Sequence, residues 1–196
     1  MASDETQSPR AERAAAITLL GGMVALMWAV EIADAIAFDL DRHGIEPREP
    51  DGLLGILFAP FLHGGFGHLI GNTFPFLVLG AAIALGGLAR LAAVTAVVAL
   101  VGGLGTWLAG PEDTVHIGAS GVVFGYAAYL VVRFLYSRRL LDLAVGLLVV
   151  AVFGTTLLVG LVPTPGVSWQ GHLFGAIGGV VAARLLVRRQ TAAPAP

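Results

Sequence analysis

Four polar residues stand out in an otherwise apolar chain because together they could catalyse acyl transfer. Ser120 is a candidate nucleophile, and His172 is a candidate general base that would accept its proton. His68 and Asn72 lie four residues apart and would share one face of a helix. Both side chains can donate hydrogen bonds to a developing oxyanion. The residue types therefore predict serine hydrolase chemistry, provided that the fold brings them together.

The composition indicates that the elements positioning these residues lie in a membrane. Of 196 residues, 12% are charged and 57% are hydrophobic, and the mean hydropathy is +0.85. A soluble domain has about 25% charged residues. This composition excludes a soluble globular enzyme, a disordered chain and a nucleic-acid binder, which would present a basic face. The chain has no Cys, which excludes disulfides and thiolate chemistry, and we expect no metal site and no cofactor.

Charge-free stretches predict an all-α membrane protein, a bundle of six transmembrane helices. A membrane-spanning helix needs about 20 mostly apolar residues, and the segment Pro163-Thr164-Pro165-Gly166 divides the last long apolar stretch in two. The predicted spans are residues 14–36, 66–86, 88–108, 118–136, 139–161 and 169–188. We expect one membrane domain over residues 14–189, a disordered cytoplasmic tail at 1–13 and a disordered tail at 190–196.

The placement of arginine predicts the orientation of the bundle. With the N-terminus inside, the inner segments hold nine Arg and the outer segments two, as expected for cytoplasmic inner loops. We therefore expect a multi-pass protein of the inner (plasma) membrane with both termini in the cytoplasm. Ala35-Ile36-Ala37 resembles a signal cleavage site, but Glu31 and Asp34 interrupt a long apolar run, which favours an uncleaved first span.

This topology brings the four polar residues to one depth in the membrane. Spans two, four and six all run from outside to inside, and the first turns of these spans carry His68 and Asn72, Ser120, and His172. The free N–H groups at the start of span four add hydrogen-bond donors. No Asp or Glu lies at that depth in spans two to six. The sequence therefore predicts a Ser–His dyad just below the outer surface, without an orienting carboxylate.

Glycine spacing predicts that spans four and six touch closely, since small residues let membrane helices approach. His172 shares the packing face of span six. The packing residues are Gly171, Gly175 and Gly179 on span six and Gly121 and Gly125 on span four.

Three motifs together resemble those of the rhomboid intramembrane serine proteases. Gly118-Ala119-Ser120-Gly121 is similar to the GxSG nucleophile motif of that family. Gly171-His172, followed by glycines at 175 and 179, is similar to the family's last-helix signature. His63, His68 and Asn72 are similar to its HxxxxHxxxN element, and the resemblance covers about residues 14–188.

The resemblance implies a serine endopeptidase that cleaves single-span membrane proteins in the lipid bilayer. It implies an active site open to outside water, and a lateral entrance for a substrate helix with span five and the loop 162–168 as gate and lid. It also implies an oxyanion hole of His68, Asn72 and the Ser120 N–H, supported by His63 and Gly118. Phe124 stands where the family often has a Tyr stacked on the catalytic His. The first outer loop, about residues 37–62, lacks the family's Trp-Arg pair.

Other interpretations of the same residues remain open at this point. The chain could be a catalytically inactive rhomboid-like protein that binds transmembrane segments, or a His-lined transporter or metal site, although no HExxH is present. Ser120 could bond within its own helix. His68 and Asn72 could simply join helices, and His63 could be structural. We expect His116 to be a loop histidine in water. The oligomeric state is not predicted.

Overall fold

The all-α prediction is confirmed by the fold. The structure is a computed structural model that describes residues 8–187. Within that range no β-strand forms, and one isolated bridge joins Ile45 to His116. Six of the described helices are long and apolar enough to cross a membrane. The helices are α1 (Pro9–Ala37), α2 (Gly52–Phe58), α3 (Phe66–Ala84), α4 (Leu88–Ala109), α5 (Ser120–Ser137), α6 (Leu140–Gly160) and α7 (Trp169–Ala182), which continues through a π-helical turn to Val187.

The prediction for the N-terminal tail is wrong at residues 9–13, which are helical. Helix α1 begins at Pro9 rather than at residue 14. The Ser8 hydroxyl accepts a hydrogen bond from the Ala11 N–H, and Pro9 occupies the first turn, where its missing N–H costs nothing. The other predicted tail residues, 1–7 and 190–196, lie outside the described residues. The predicted ends of spans two to six agree with α3 to α7 within two residues when α7 is counted to the end of its π-helical turn at Val187.

The first turns of α1 form hydrogen bonds to a distant part of the chain that local composition does not reveal. The Leu88 N–H at the start of α4 donates to the Glu12 carboxylate at 3.2 Å. The Arg13 Nε donates to the Leu85 carbonyl at the end of α3 at 3.1 Å. An anion at a helix N-terminus and a cation at a C-terminus both match the helix dipole. These bonds join the start of α1 to the α3–α4 turn.

Helices α5 and α7 touch through their backbones. A Cβ atom on Gly175 would overlap the Gly121 carbonyl oxygen, and one on Gly179 would overlap the Gly125 carbonyl oxygen. Only glycine allows backbones this close. The contact brings the first residue of α5, Ser120, beside the first turn of α7.

Helix α6 is held mainly by α5 and is the least enclosed of the long helices. Gly146 lies against the Val131 backbone, where an added Cβ would be 3.1 Å from the carbonyl oxygen. Asp142 is buried and pairs with Arg133 of α5 at 3.3 Å. The other face of α6 exposes apolar side chains, including Leu147, Leu148, Val152 and Leu158. Asp142 and Gly146 therefore hold the N-terminal part of this helix against α5.

Arg48 ties the first loop to the end of α4. Its Nη1 donates to the carbonyls of Leu108 at 3.1 Å and Gly110 at 2.8 Å. The Trp107 Nε1 donates to the Glu49 carbonyl at 2.8 Å. A Trp from α4 thus anchors a loop that has no Trp of its own. Helix α2, in the same loop, exposes Leu54 and Leu57, as a segment at a membrane interface would.

Replacing Gly179 with Ala should destabilise the bundle, because the added methyl group would overlap the Gly125 carbonyl oxygen. Overpacking of this kind costs about 1–3 kcal/mol. We expect a lower midpoint of thermal unfolding in detergent micelles. Gly22→Ala in α1 is the matched control, because nothing lies within 4 Å of its added Cβ. Equal midpoints for the two variants would contradict this account of the contact.

Candidate active site

Gly118 shapes the chain just before Ser120 in two ways. Its φ of +107° is a conformation that residues with a side chain rarely adopt. An added Cβ would also lie 2.7 Å from the His68 Nε2 and 3.5 Å from the Asn72 Nδ2. The glycine therefore lets α5 begin at Ser120 while two side chains of α3 lie directly against this turn.

Ser120 and His172 are hydrogen-bonded to each other. The Ser120 Oγ lies 2.8 Å from the His172 Nε2. Three threonines elsewhere in the bundle behave differently, because Thr73, Thr95 and Thr106 each donate to the carbonyl four residues earlier. The contact between the two side chains is the geometry that a nucleophile and its base require.

The second nitrogen of His172 is held by a backbone carbonyl. The His172 Nδ1 lies 2.6 Å from the Gly160 oxygen at the end of α6. A carbonyl only accepts, so Nδ1 carries the proton and Nε2 is left to accept from the Ser120 hydroxyl. An added Cβ on Gly160 would lie 2.5 Å from the Phe124 Cζ. The small residue thus lets α6 come close enough to orient the ring.

Phe124 stacks on the imidazole of His172. The two ring centroids are 4.1 Å apart and the planes differ by 5°. The stacking that a Tyr would provide at this position is therefore retained by Phe.

His68 and Asn72 face the same turn from α3. Asn72 is buried, and its Nδ2 has no hydrogen-bond partner within residues 8–187. His68 is exposed to the cavity in front of the site. A buried amide without a partner is costly. The Asn72 donor is consequently free for an acceptor that arrives beside Ser120.

His63 supports the chain that leads into α5. It is 1% exposed, and its Nε2 accepts from the Ala119 N–H at 3.4 Å. Its Nδ1 lies 3.4 Å from the Phe61 carbonyl. These two bonds fix the neutral form with the proton on Nδ1. Burial, and to a smaller extent the neighbouring His68, lowers the pKa of His63 to about 4.

A cavity of about 1240 Å³ lies in front of Ser120 and His172. Its walls come from α3, α6 and the residues 163–168 that precede α7. Helices α3 and α6 approach each other through Phe74 and Phe153, whose ring centroids are 6.3 Å apart. The site is therefore bordered by the most weakly enclosed helix of the bundle.

The structure brings together every side chain that the sequence proposed for the site, while their roles stay predictions. Across residues 8–187, no group of three or more His, Cys, Asp or Glu is arranged to hold a metal ion. The Gly160 carbonyl was not predicted, because a backbone oxygen has no signature in sequence. The expectation for His116 is wrong. It is 8% exposed, and its Nδ1 lies 2.6 Å from the Ser168 Oγ.

Comparisons with known proteins agree with these observations. A family model for the rhomboid domain matches residues 50–189. An uncharacterized protein of Mycobacterium tuberculosis is 49% identical over 175 residues, covering 83% of this chain and 72% of the relative. An uncharacterized protein of Mycobacterium leprae is 48% identical over 182 residues, covering 87% and 70%. YdcA of Bacillus subtilis, whose name marks it as a candidate rhomboid protease, is 29% identical over 136 residues, covering 68% of each chain.

Acidification should destabilise the protein through His63. Its folded pKa of about 4 lies below the ordinary value of 6.5, so between these pH values the unfolded chain binds a proton that the folded chain does not. Stability is unaffected above pH 6.5 and falls as the pH drops to 4, by about 3 kcal/mol for this residue. His63→Gln, which keeps an acceptor for Ala119, should reduce that fall in unfolding experiments between pH 7 and 4. An unchanged pH dependence would contradict the assignment.

Proposed function

Because the chain belongs to the rhomboid family, we propose that it is an intramembrane serine endopeptidase that cleaves transmembrane helices near their outer ends. One observation carries this proposal: the Ser120 Oγ lies 2.8 Å from the His172 Nε2, while the His172 Nδ1 is held by a carbonyl. That arrangement presents a hydroxyl to a base whose free nitrogen is fixed in the accepting form.

The proposed reaction proceeds through an acyl-enzyme. The Ser120 oxygen attacks a substrate carbonyl as His172 accepts the hydroxyl proton at Nε2. His172 then gives this proton to the leaving amine as the peptide bond breaks. A water molecule, deprotonated by the same nitrogen, attacks the acyl ester. The Ser120 oxygen leaves and recovers its proton from His172, so the enzyme returns to its starting state.

Negative charge on the tetrahedral intermediate would be stabilised from two sides. His68 and Asn72 lie against the turn at Gly118, and the Asn72 Nδ2 is a buried donor without a partner among the described residues. The Ser120 N–H is at the N-terminus of α5, where the helix dipole favours an anion. Donors in place before the reaction stabilise charge without reorganisation.

The substrates we propose are single-span membrane proteins whose helices unwind easily near the outer surface. A hydrogen-bonded helix does not offer its carbonyls to a nucleophile, so Gly, Ala or Pro near the cut would favour cleavage. The cavity between α3 and α6 supports lateral entry, and the segment 162–168 would cover it. The arginine distribution supports a plasma-membrane location with cytoplasmic termini.

Ser120→Ala and His172→Ala should each abolish cleavage of a reconstituted single-span substrate. Removing the nucleophile or its base should lower kcat by at least about 10³-fold. A fluorophosphonate probe should label the wild type and fail to label Ser120→Ala. This probe tests the activated hydroxyl without knowledge of the substrate.

The matched controls are Ser137→Ala and His43→Ala, which lie away from the cavity and should keep wild-type cleavage and labelling. Full cleavage by either dyad variant would refute the proposal. A protein that binds transmembrane segments but never cuts or labels would instead be an inactive rhomboid-like binder.

Asn72→Ala should lower kcat by about 10²–10³-fold, the usual cost of losing one oxyanion donor. KM should change little, because the free donor pairs only with the charged intermediate. Steady-state cleavage in vesicles separates the two constants. An effect confined to KM would show that Asn72 contributes to substrate binding instead.

A further inference from the structure

A second Ser–His pair lies one helical turn above the proposed dyad. His116 stands four residues before Ser120, and Ser168 stands four residues before His172. The His116 Nδ1 lies 2.6 Å from the Ser168 Oγ. The pair is crossed relative to the dyad, because the histidine now precedes α5 and the serine precedes α7.

The Ser168 hydroxyl does not cap helix α7, although Ser168 occupies the capping position. Ser168 is the N-cap residue of α7, and a serine there usually accepts from an N–H of the first turn. Its side chain makes no such bond. The hydroxyl contacts a different segment of the chain, so the contact with His116 replaces local capping.

Hydrogen bonds fix the direction of this contact. The Thr114 hydroxyl donates to the Pro111 carbonyl at 2.6 Å, so its oxygen accepts from the His116 Nε2 at 3.1 Å. The Nδ1 is then left to accept from the Ser168 hydroxyl. Burial lowers the pKa of His116, which keeps the ring neutral and the Nδ1 free to accept.

His116 is itself held firmly. Its backbone N–H and carbonyl exchange two hydrogen bonds of 2.9 Å with Ile45. Two residues later, the Gly118 N–H donates to the Ala59 carbonyl at 2.8 Å. These backbone bonds hold His116 and the turn into α5 against the first loop. Through its contact with the His116 ring, Ser168 joins the start of α7 to the same structure.

Four contacts follow one another along α5, α7 and the residues just before them, each four residues or fewer from the next. His116 meets Ser168, and Ser120 meets His172. Below them, Gly175 lies against Gly121 and Gly179 against Gly125. The glycines set the separation of the helices on one side of the dyad, and the crossed pair sets it on the other.

We infer that His116 and Ser168 are positioning residues that hold Ser120 and His172 in register, and that without their contact the start of α7 moves relative to α5. This inference rests on the proposed function. A displacement of about 1 Å at reacting groups costs on the order of 10²-fold in rate. Losing the contact should therefore slow the chemical step rather than weaken substrate binding.

The test measures the rate of fluorophosphonate labelling of Ser120, together with kcat and KM for cleavage. Ser168→Ala removes a single oxygen that does not cap its helix, so the fold should survive. We expect labelling and kcat to fall about 10–100-fold with KM unchanged. His116→Ala should lower labelling and kcat by a similar factor. The double variant should be no slower than the slower of the two single variants, because both remove the same contact.

Conservative variants and matched controls separate positioning from general damage. Ser168→Thr keeps the hydroxyl, and His116→Asn keeps an acceptor near the position of Nδ1. Each should therefore label and cleave at a rate much closer to wild type than the corresponding alanine variant does. His43→Ala and Ser137→Ala should leave the rate unchanged. Wild-type labelling by Ser168→Ala would overturn this inference, as would a fall that Ser168→Thr does not reverse. A wild type that neither labels nor cuts would instead refute the proposed function.

Discussion

The backbones of α5 and α7 lie in contact at two glycine pairs, Gly121 with Gly175 and Gly125 with Gly179. The site depends on this contact, because Ser120 and His172 each stand at the start of one of these helices. Without side chains between the backbones, a short hydroxyl can reach an imidazole across the interface. Dispersion contacts and close packing help to hold membrane helices together, so the same contact stabilises the bundle and sets the distance between Ser120 and His172.

The orientation of His172 comes from a carbonyl and an aromatic ring instead of from a carboxylate. The Gly160 oxygen fixes the tautomer, and Phe124 fixes the plane of the ring. A carboxylate at this depth would have to be desolvated, which is expensive in an apolar environment. A carbonyl at a helix end carries no net charge and has no partner within its own helix. It orients His172 at a smaller cost.

The sequence predicted those features that depend on composition and on the order of elements. Runs without charge located five of the helices closely, and counting turns from the same surface brought Ser120, His172, His68 and Asn72 together. The predictions that were wrong share one cause, since local polarity does not show which residues from distant parts of the chain a side chain contacts. His116 looked like a loop residue in water, yet Ser168 lies 2.6 Å from it.

The first helix shows the same limit of local information. Residues 9–13 looked like a polar tail, yet Glu12 and Arg13 bond to the turn between α3 and α4. Those partners lie more than 70 residues away in the chain. The Gly160 carbonyl could not have been found at all, because every residue has one and only the fold selects which is used.

Helix α6 lies between His172 and the apolar outer surface of the bundle. Its apolar outer face is exposed, and its last residue provides the oxygen that orients His172. The helix packs on α5 along one face only, and a span with a free face can change its tilt when the hydrocarbon thickness changes. A thinner or thicker bilayer would shift that oxygen while leaving the glycine contact between α5 and α7 untouched. Under the proposed function, cleavage rates in detergents or vesicles of different acyl length would differ through the orientation of this one imidazole, and the host membrane would take part in setting the rate.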